Sequence, residues 1–129
     1  MFRNKDFGKI NAMQYITYED FKKVEIRAGK ILSAEKIPET DKLLKLSVDF
    51  GEKDEAGNSK PRQIVSGISM HFPQAEVLVG KICMFVTNLE PRTIKGFESN
   101  GMLFAVSNSD GGFSILEPNS TITPGSIAG

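Results

Sequence analysis

The sequence predicts an all-β domain, and its pattern favours an OB-fold, a five-stranded Greek-key barrel with short helical elements. Apolar and polar residues alternate in several short segments. Glycines interrupt or end these segments, as expected where the strands of a small barrel bend. A short link with helical features precedes the fourth segment, which fits an OB-fold. An SH3-like barrel or a small sandwich satisfies the alternation almost as well.

Residues 1–15 read as a polar N-terminal arm, and residues 16–129 as one domain with a single core. Thr17 is placed to cap a helix of about one turn, with Asp20 three residues later. We expect Phe21 and Val24 to face inward from this helix.

The first predicted strand begins at Val24 and continues to Leu32, with Gly29 marking a bulge or bend. The second has the cleanest alternation, because every other residue from Leu44 to Phe50 is apolar. The later strands are predicted at 62–66, 81–87, 102–107 and 113–116, with an irregular or helical link at 69–76.

Composition argues against several classes of function. Cys83 is the single cysteine and lies in an apolar strand pattern, so we expect a buried, unreactive thiol and a reducing cytoplasmic location. With one histidine as well, no zinc site, other metal or cofactor is predicted, and no phosphate-binding loop motif occurs. No apolar run is long enough to span a bilayer. We therefore expect a binding protein and not an enzyme.

The net charge is zero, but the charges are unevenly distributed. From residue 96 onward there are three acidic residues and no lysine or arginine, so residues 1–95 carry 16 bases against 13 acids. A modest basic face can therefore exist on an uncharged molecule, although a mixed solvated surface explains the charges equally well.

The connection between the fourth and fifth strands is the most informative segment. Residues 88–103 contain a basic pair, glycines, amides, a hydroxyl and a thioether where a plain polar turn would suffice. That mixture suits a polyanion or a nucleotide at the mouth of a barrel. In an OB-fold this loop and the loop after the first strand border the ligand face. The predicted phosphate contacts are Lys30, Lys42, Arg92 and Lys95.

Four uncharged residues complete the predicted RNA-binding set. Asn88, Ser66 and Ser99 can donate to phosphate or ribose, or can instead satisfy backbone groups within turns. Met102 can place its thioether against a base or ribose, or can fill the barrel mouth. Without a clear exposed aromatic pair for base stacking, the pattern favours recognition of folded RNA by shape and backbone.

Six segments, in this order and spacing, resemble the tRNA-binding domain family, which includes the C-terminal module of methionyl-tRNA synthetase and its separate beta-chain form. They are Ile26-Arg27-Ala28-Gly29-Lys30-Ile31, Asp41-Lys42-Leu43-Leu44-Lys45-Leu46, Arg62-Gln63-Ile64-Val65-Ser66-Gly67-Ile68, Gly80-Lys81, Asn88-Leu89-Glu90-Pro91, and Gly96 with Ser99-Asn100-Gly101-Met102-Leu103.

The resemblance implies an OB barrel that binds tRNA without catalysis, acts as a homodimer and aids an aminoacyl-tRNA synthetase of the methionyl type. The family also contains CsaA-like export chaperones that bind unfolded or secretory polypeptides, and this is the alternative function. The Asp41 to Leu44 run and the Ser99 to Met102 element favour the tRNA-binding branch.

Overall fold

A computed structural model describes residues 13–129. Most of the predicted N-terminal arm, 1–15, therefore lies outside the described residues. The structure contains one short α-helix, nine short strands and two 3-10 turns within that range. Their bounds are α1 Tyr18–Lys22, β1 Ile26–Lys36, β2 Leu44–Asp49, β3 Arg62–Ser66, the 3-10 turns Ser69–His71 and Ala75–Leu78, β4 Ile82–Val86, β5 Arg92–Ile94, β6 Phe97–Ser99, β7 Met102–Leu103, β8 Ala105–Ser107 and β9 Phe113–Ile115.

Five strands form one antiparallel sheet in the order β3-β2-β1-β4-β7, which curls into a nearly closed barrel. The predicted all-β barrel is thus confirmed. β1 is the longest strand and pairs with β4 through its first half and with β2 through its second half. The register of β1 against β2 shifts between Ile31 and Ser33, so the bulge lies two residues beyond Gly29.

Gly29 stays within the ladder, opposite Cys83. A glycine is needed there because the side chains of Val48 and Phe50 lie close to its backbone. A Cβ atom on Gly29 would lie 2.5 Å from Cε1 of Phe50 and 2.6 Å from Cγ1 of Val48. Phe50 in turn packs edge-to-face on Phe85, with ring centroids 5.2 Å apart. Cys83 is buried as predicted, and burial raises the pKa of its thiol to about 11.

The barrel closes along a seam where β3 meets residues 98–100. The Val65 N–H donates to Oγ of Ser99 at 2.9 Å, and the Asn100 N–H donates to the Gln63 carbonyl at 2.8 Å. Nε2 of Gln63 donates to the Glu98 carbonyl at 2.9 Å. Side chains therefore supply two of these three bonds, in place of a regular strand ladder.

The helix prediction is confirmed in position but wrong in orientation. Oγ1 of Thr17 accepts from the Asp20 N–H at 3.0 Å, which is the predicted cap. Phe21 and Val24, however, are exposed, and α1 buries none of its residues. The strands of the barrel already close the core without it. Among residues 13–129, no helix has both the length and the apolar character needed to cross a membrane.

The segment predicted as one fifth strand divides into β7 and β8, which belong to different sheets. β7 completes the barrel beside β4, whereas β8 pairs with β9 in a separate hairpin. The connection before β7 also forms a hairpin of its own, from β5 and β6, where the sequence predicted a loop.

Candidate nucleic-acid interface

The β5–β6 hairpin presents two of the predicted cations. Ile94 pairs with Phe97, so Lys95 and Gly96 form a two-residue turn. Their φ angles are +51° and +85°, as a type I′ turn requires. Arg92 and Lys95 are both exposed. Lys95 occupies a left-handed conformation that costs a residue with a Cβ roughly 1–2 kcal/mol.

The Lys42 turn lies at the same end of the barrel as this hairpin. The Lys42 carbonyl accepts from the Ser69 N–H at 2.9 Å, just beyond the end of β3. Three residues further on, Nζ of Lys45 lies 4.9 Å from the ring centroid of Phe97, beside the hairpin turn. A contact between β2 and β6 therefore joins the two turns.

The cations of the Lys42 turn and of the β5–β6 hairpin are not neutralised by ion pairs within the described residues. Lys42, Arg92 and Lys95 each lack a carboxylate within 4.0 Å among residues 13–129. Lys45, between them, forms an ion pair with Glu35 at 3.5 Å. We call Lys42, Arg92 and Lys95 the basic rim.

Ser66, Met102 and Lys30 differ in their relation to the basic rim. Ser66 pairs with Leu44 and is half-buried beside the Lys42 turn. Met102 lies on β7 and is 39% exposed, so it does not fill the core. Lys30 lies six residues before the end of β1, on the order of 20 Å along the strand from the Lys42 turn. Lys30 is therefore not brought to the rim, and its phosphate contact remains a separate prediction.

Asn88 and Ser99 use their side chains within the protein. Oδ1 of Asn88 accepts from the Glu25 N–H at 2.8 Å, and its Nδ2 donates to the Lys23 carbonyl at 2.6 Å. Ser99 is buried, and its hydroxyl accepts from Val65 and donates to the Gly101 carbonyl at 3.3 Å. Both side chains therefore hold the segments that carry the rim, and RNA contact by either remains only a prediction.

Arg62 spans the far end of the seam. Its guanidinium binds both carboxylate oxygens of Glu52, at 2.9 and 2.7 Å, and donates to the Thr87 carbonyl at 2.6 Å. The hydrogen bonds from Arg62 lower the pKa of Glu52, and the same pairing raises the pKa of Arg62. This ion pair links the β2–β3 loop to the segment after β4.

Arg27 is paired with Glu25, with its Nη2 donating to Oε2 at 3.3 Å. Sequence reasoning missed the β5–β6 hairpin and the Lys45 contact with Phe97. The turn had a readable signal, because Lys95-Gly96 lies between short β-compatible runs, although asparagine or aspartate is the usual first residue there. The Lys45 contact had none, since it depends on barrel closure.

A small, nearly closed barrel that carries unpaired cations at one end has the general features of the nucleic-acid-binding barrels. The family model described as "Putative tRNA binding domain" matches residues 26–127, and the chain belongs to that family. Methionine–tRNA ligase of Porphyromonas gingivalis is 43% identical over 111 residues, covering 86% of this chain and 15% of that protein. The ligase of Thermotoga maritima is 43% identical over 126 residues, covering 94% and 19%. The chain thus spans under a fifth of these relatives.

Two solved structures share the fold over nearly their whole length. The MetRS related protein from Pyrococcus horikoshii has a TM-score of 0.79 and 35% identity, with 90% of this chain and 99% of that chain covered. The chaperone CsaA from Bacillus anthracis has a TM-score of 0.74 and 26% identity, with 90% and 100% covered. The barrel is therefore common to a synthetase-related protein and a chaperone.

The Glu52–Arg62 ion pair should make the free energy of unfolding depend on pH in the acidic range. Because the folded-state pKa of Glu52 is lowered, its stabilising contribution is complete above the unfolded value of about 4.3 and is lost as the pH falls through the folded value. Glu52→Gln should therefore lower the free energy of unfolding at pH 7, and this deficit should shrink as the pH falls below about 4. Urea unfolding across a series of acidic pH values measures this, with Glu98→Gln as the control outside the pair. A deficit that stays the same at every pH would contradict it.

Proposed function

We propose that this chain is a noncatalytic module that binds folded tRNA through its shape and phosphate backbone. The observation that carries the proposal is the basic rim, three exposed cations without ion-pair partners in the described part of the chain, on the Lys42 turn and the adjoining β5–β6 hairpin. Phe97, the aromatic ring beside the rim, is half-buried and has Nζ of Lys45 4.9 Å from its ring centroid, so one of its faces is occupied. Backbone recognition fits that arrangement better than base reading. With tRNA as ligand, the proposed location is the cytoplasm.

Removing the hairpin cations tests this proposal. Lys95→Asn suits the left-handed turn better than lysine, so the double variant Arg92→Ala/Lys95→Asn should fold at least as well as the wild type. Filter binding of tRNA across a salt series should show weaker binding. The log–log salt slope should fall by about 1.5, since each phosphate contact contributes about 0.7–0.9.

Lys81→Ala is the control for this experiment. Lys81 lies beside Ile31 in the middle of β1 and pairs with Glu117 at 3.6 Å, away from both turns. It should leave the salt slope unchanged. Absence of tRNA binding by the wild type at low salt, or an unchanged slope in the hairpin variant, would refute the proposed function.

We further propose that the chain acts as a homodimer through α1. The helix has five residues, too few to be stable without packing, yet it buries none of them. Tyr18 is 71% exposed and Phe21 46% exposed, with Ile16 and Val24 exposed beside them. A second copy covers this apolar face, and two-fold pairing presents two basic rims to one tRNA.

Negative charges introduced by substitution into the apolar face of α1 should dissociate the dimer into monomers. Ile16→Glu/Phe21→Glu should elute at the monomer mass in size-exclusion chromatography with light scattering, where the wild type should show twice that mass, and its tRNA affinity should drop. Val106→Glu, an exposed apolar residue on β8, should stay dimeric. A monomeric wild type, or a dimer that survives the double variant, would exclude this interface.

The family relationship supports a synthetase partner. The curated relatives carry this region within methionine–tRNA ligases, so we propose that the module supplies tRNA to a catalytic domain of that type. Adding the chain to such a catalytic domain should then lower its KM for tRNA, and an unchanged KM would contradict the role.

The alternative is a CsaA-like chaperone, favoured by the shared barrel and the exposed α1 face. Suppression of aggregation of an unfolded polypeptide without retention of tRNA would select it.

A further inference from the structure

A polar groove of about 690 Å³ lies beside the β2–β3 loop, on the outer side of the seam. Gln63 of β3 forms one part of its wall, and Glu98 and Asn100 form another. Lys53 and Lys60 line it from the loop. Because Glu98 belongs to β6, the groove adjoins the strand pair that carries Arg92 and Lys95.

The loop is held in place by its own hydrogen bonds. Lys53 forms a bridge with Ser59, and the Lys60 N–H donates to the Glu52 carbonyl at 3.0 Å. Oδ1 of Asp54 accepts from the Ala56 and Asn58 N–H groups, at 2.9 and 2.8 Å. The Asp54 carboxylate is thus used within the turn. The backbone at Lys53 and Lys60 is held in place by these bonds.

The charge balance of the groove favours an anion. Glu52 is neutralised by its two hydrogen bonds with Arg62. Lys53 and Lys60 have no carboxylate within 4.0 Å in the part of the chain that the structure describes. Glu98 is the one remaining carboxylate in the wall. Two free ammonium groups therefore face one free carboxylate.

Amide groups supply the uncharged hydrogen-bonding capacity. Gln63 donates through Nε2 to the Glu98 carbonyl, which leaves its Oε1 as an acceptor. The half-buried Asn100 side chain makes no hydrogen bond with any of residues 13–129, although its backbone N–H is bonded across the seam. An amide with donor and acceptor both free can bind a ribose hydroxyl or the edge of a base.

We propose that this groove takes one unpaired nucleotide of the bound RNA, with its phosphate between Lys53 and Lys60 and its base or ribose at Asn100 and Gln63. The inference rests on the proposed function, because the nucleotide belongs to the RNA held by the basic rim. A groove of this volume accepts a single flipped-out nucleotide. A paired base in an A-form helix does not expose its major-groove edge to such a wall.

The test uses the whole chain and compares four variants by filter binding across a salt series. Lys53→Ala/Lys60→Ala should weaken tRNA binding and lower the log–log slope by about 1.5. Glu98→Gln should strengthen binding, because it removes a repulsive charge. Asn100→Ala should weaken binding equally at every salt concentration, leaving the slope unchanged. Lys81→Ala should behave as the wild type.

A short single-stranded RNA and a duplex of the same length identify the ligand form. The lysine variant should lose more affinity for the single strand than for the duplex. Equal losses, or a lysine variant with the wild-type slope, would overturn the nucleotide site while leaving tRNA binding by the rim intact. A wild type that binds no tRNA would instead refute the proposed function itself. Thermal unfolding of each variant separates loss of contact from loss of fold.

Discussion

The seam between β3 and residues 98–100 is the constraint on which the rest of the structure depends. The four neighbouring pairs of the barrel are joined by antiparallel ladders, but this contact relies on Oγ of Ser99, Nε2 of Gln63 and one backbone bond. Because it closes the barrel, it carries the β5–β6 hairpin to the ends of β2 and β3, where Lys42 lies. Without the seam the hairpin cations and Lys42 would belong to unrelated surfaces.

Polar residues predicted as ligand contacts can instead stabilise the segments that carry the proposed contacts. The Asn88 amide is hydrogen-bonded to the backbone of residues 23 and 25, and the Ser99 hydroxyl is hydrogen-bonded across the seam. Arg62 and Glu52 clamp the opposite end of the same contact. Lys42, Lys95, Lys53 and Lys60 remain unpaired among the described residues and lie on turns and a loop, where no carboxylate competes with a phosphate for them.

The main strands were predictable because alternation with a buried face is a local property, seen most clearly in β2. Residues 88–103 also stood out in the sequence, since their mixture of side chains exceeds what a turn needs, and their contact with RNA remains a prediction. Two features were not predictable. Phe21 is exposed because the core closes without α1. The Lys45 contact with Phe97 joins two residues 52 positions apart in the sequence and depends on closure of the barrel, which brings β6 to β3 and β2. Such tertiary contacts leave no periodic trace in the sequence.

The tRNA footprint on the protein shows whether closure of the barrel places the Lys42 turn, the β5–β6 hairpin and the β2–β3 loop on one RNA-binding surface. Backbone amide spectra of ¹⁵N-labelled protein, recorded while unlabelled tRNA is added, report which residues change environment. We expect one contiguous surface that includes Lys42, Lys95 and the β2–β3 loop, with Lys81 unaffected. A footprint centred on Lys30 and the C-terminal segment near residues 121–124, with the hairpin unchanged, would contradict it.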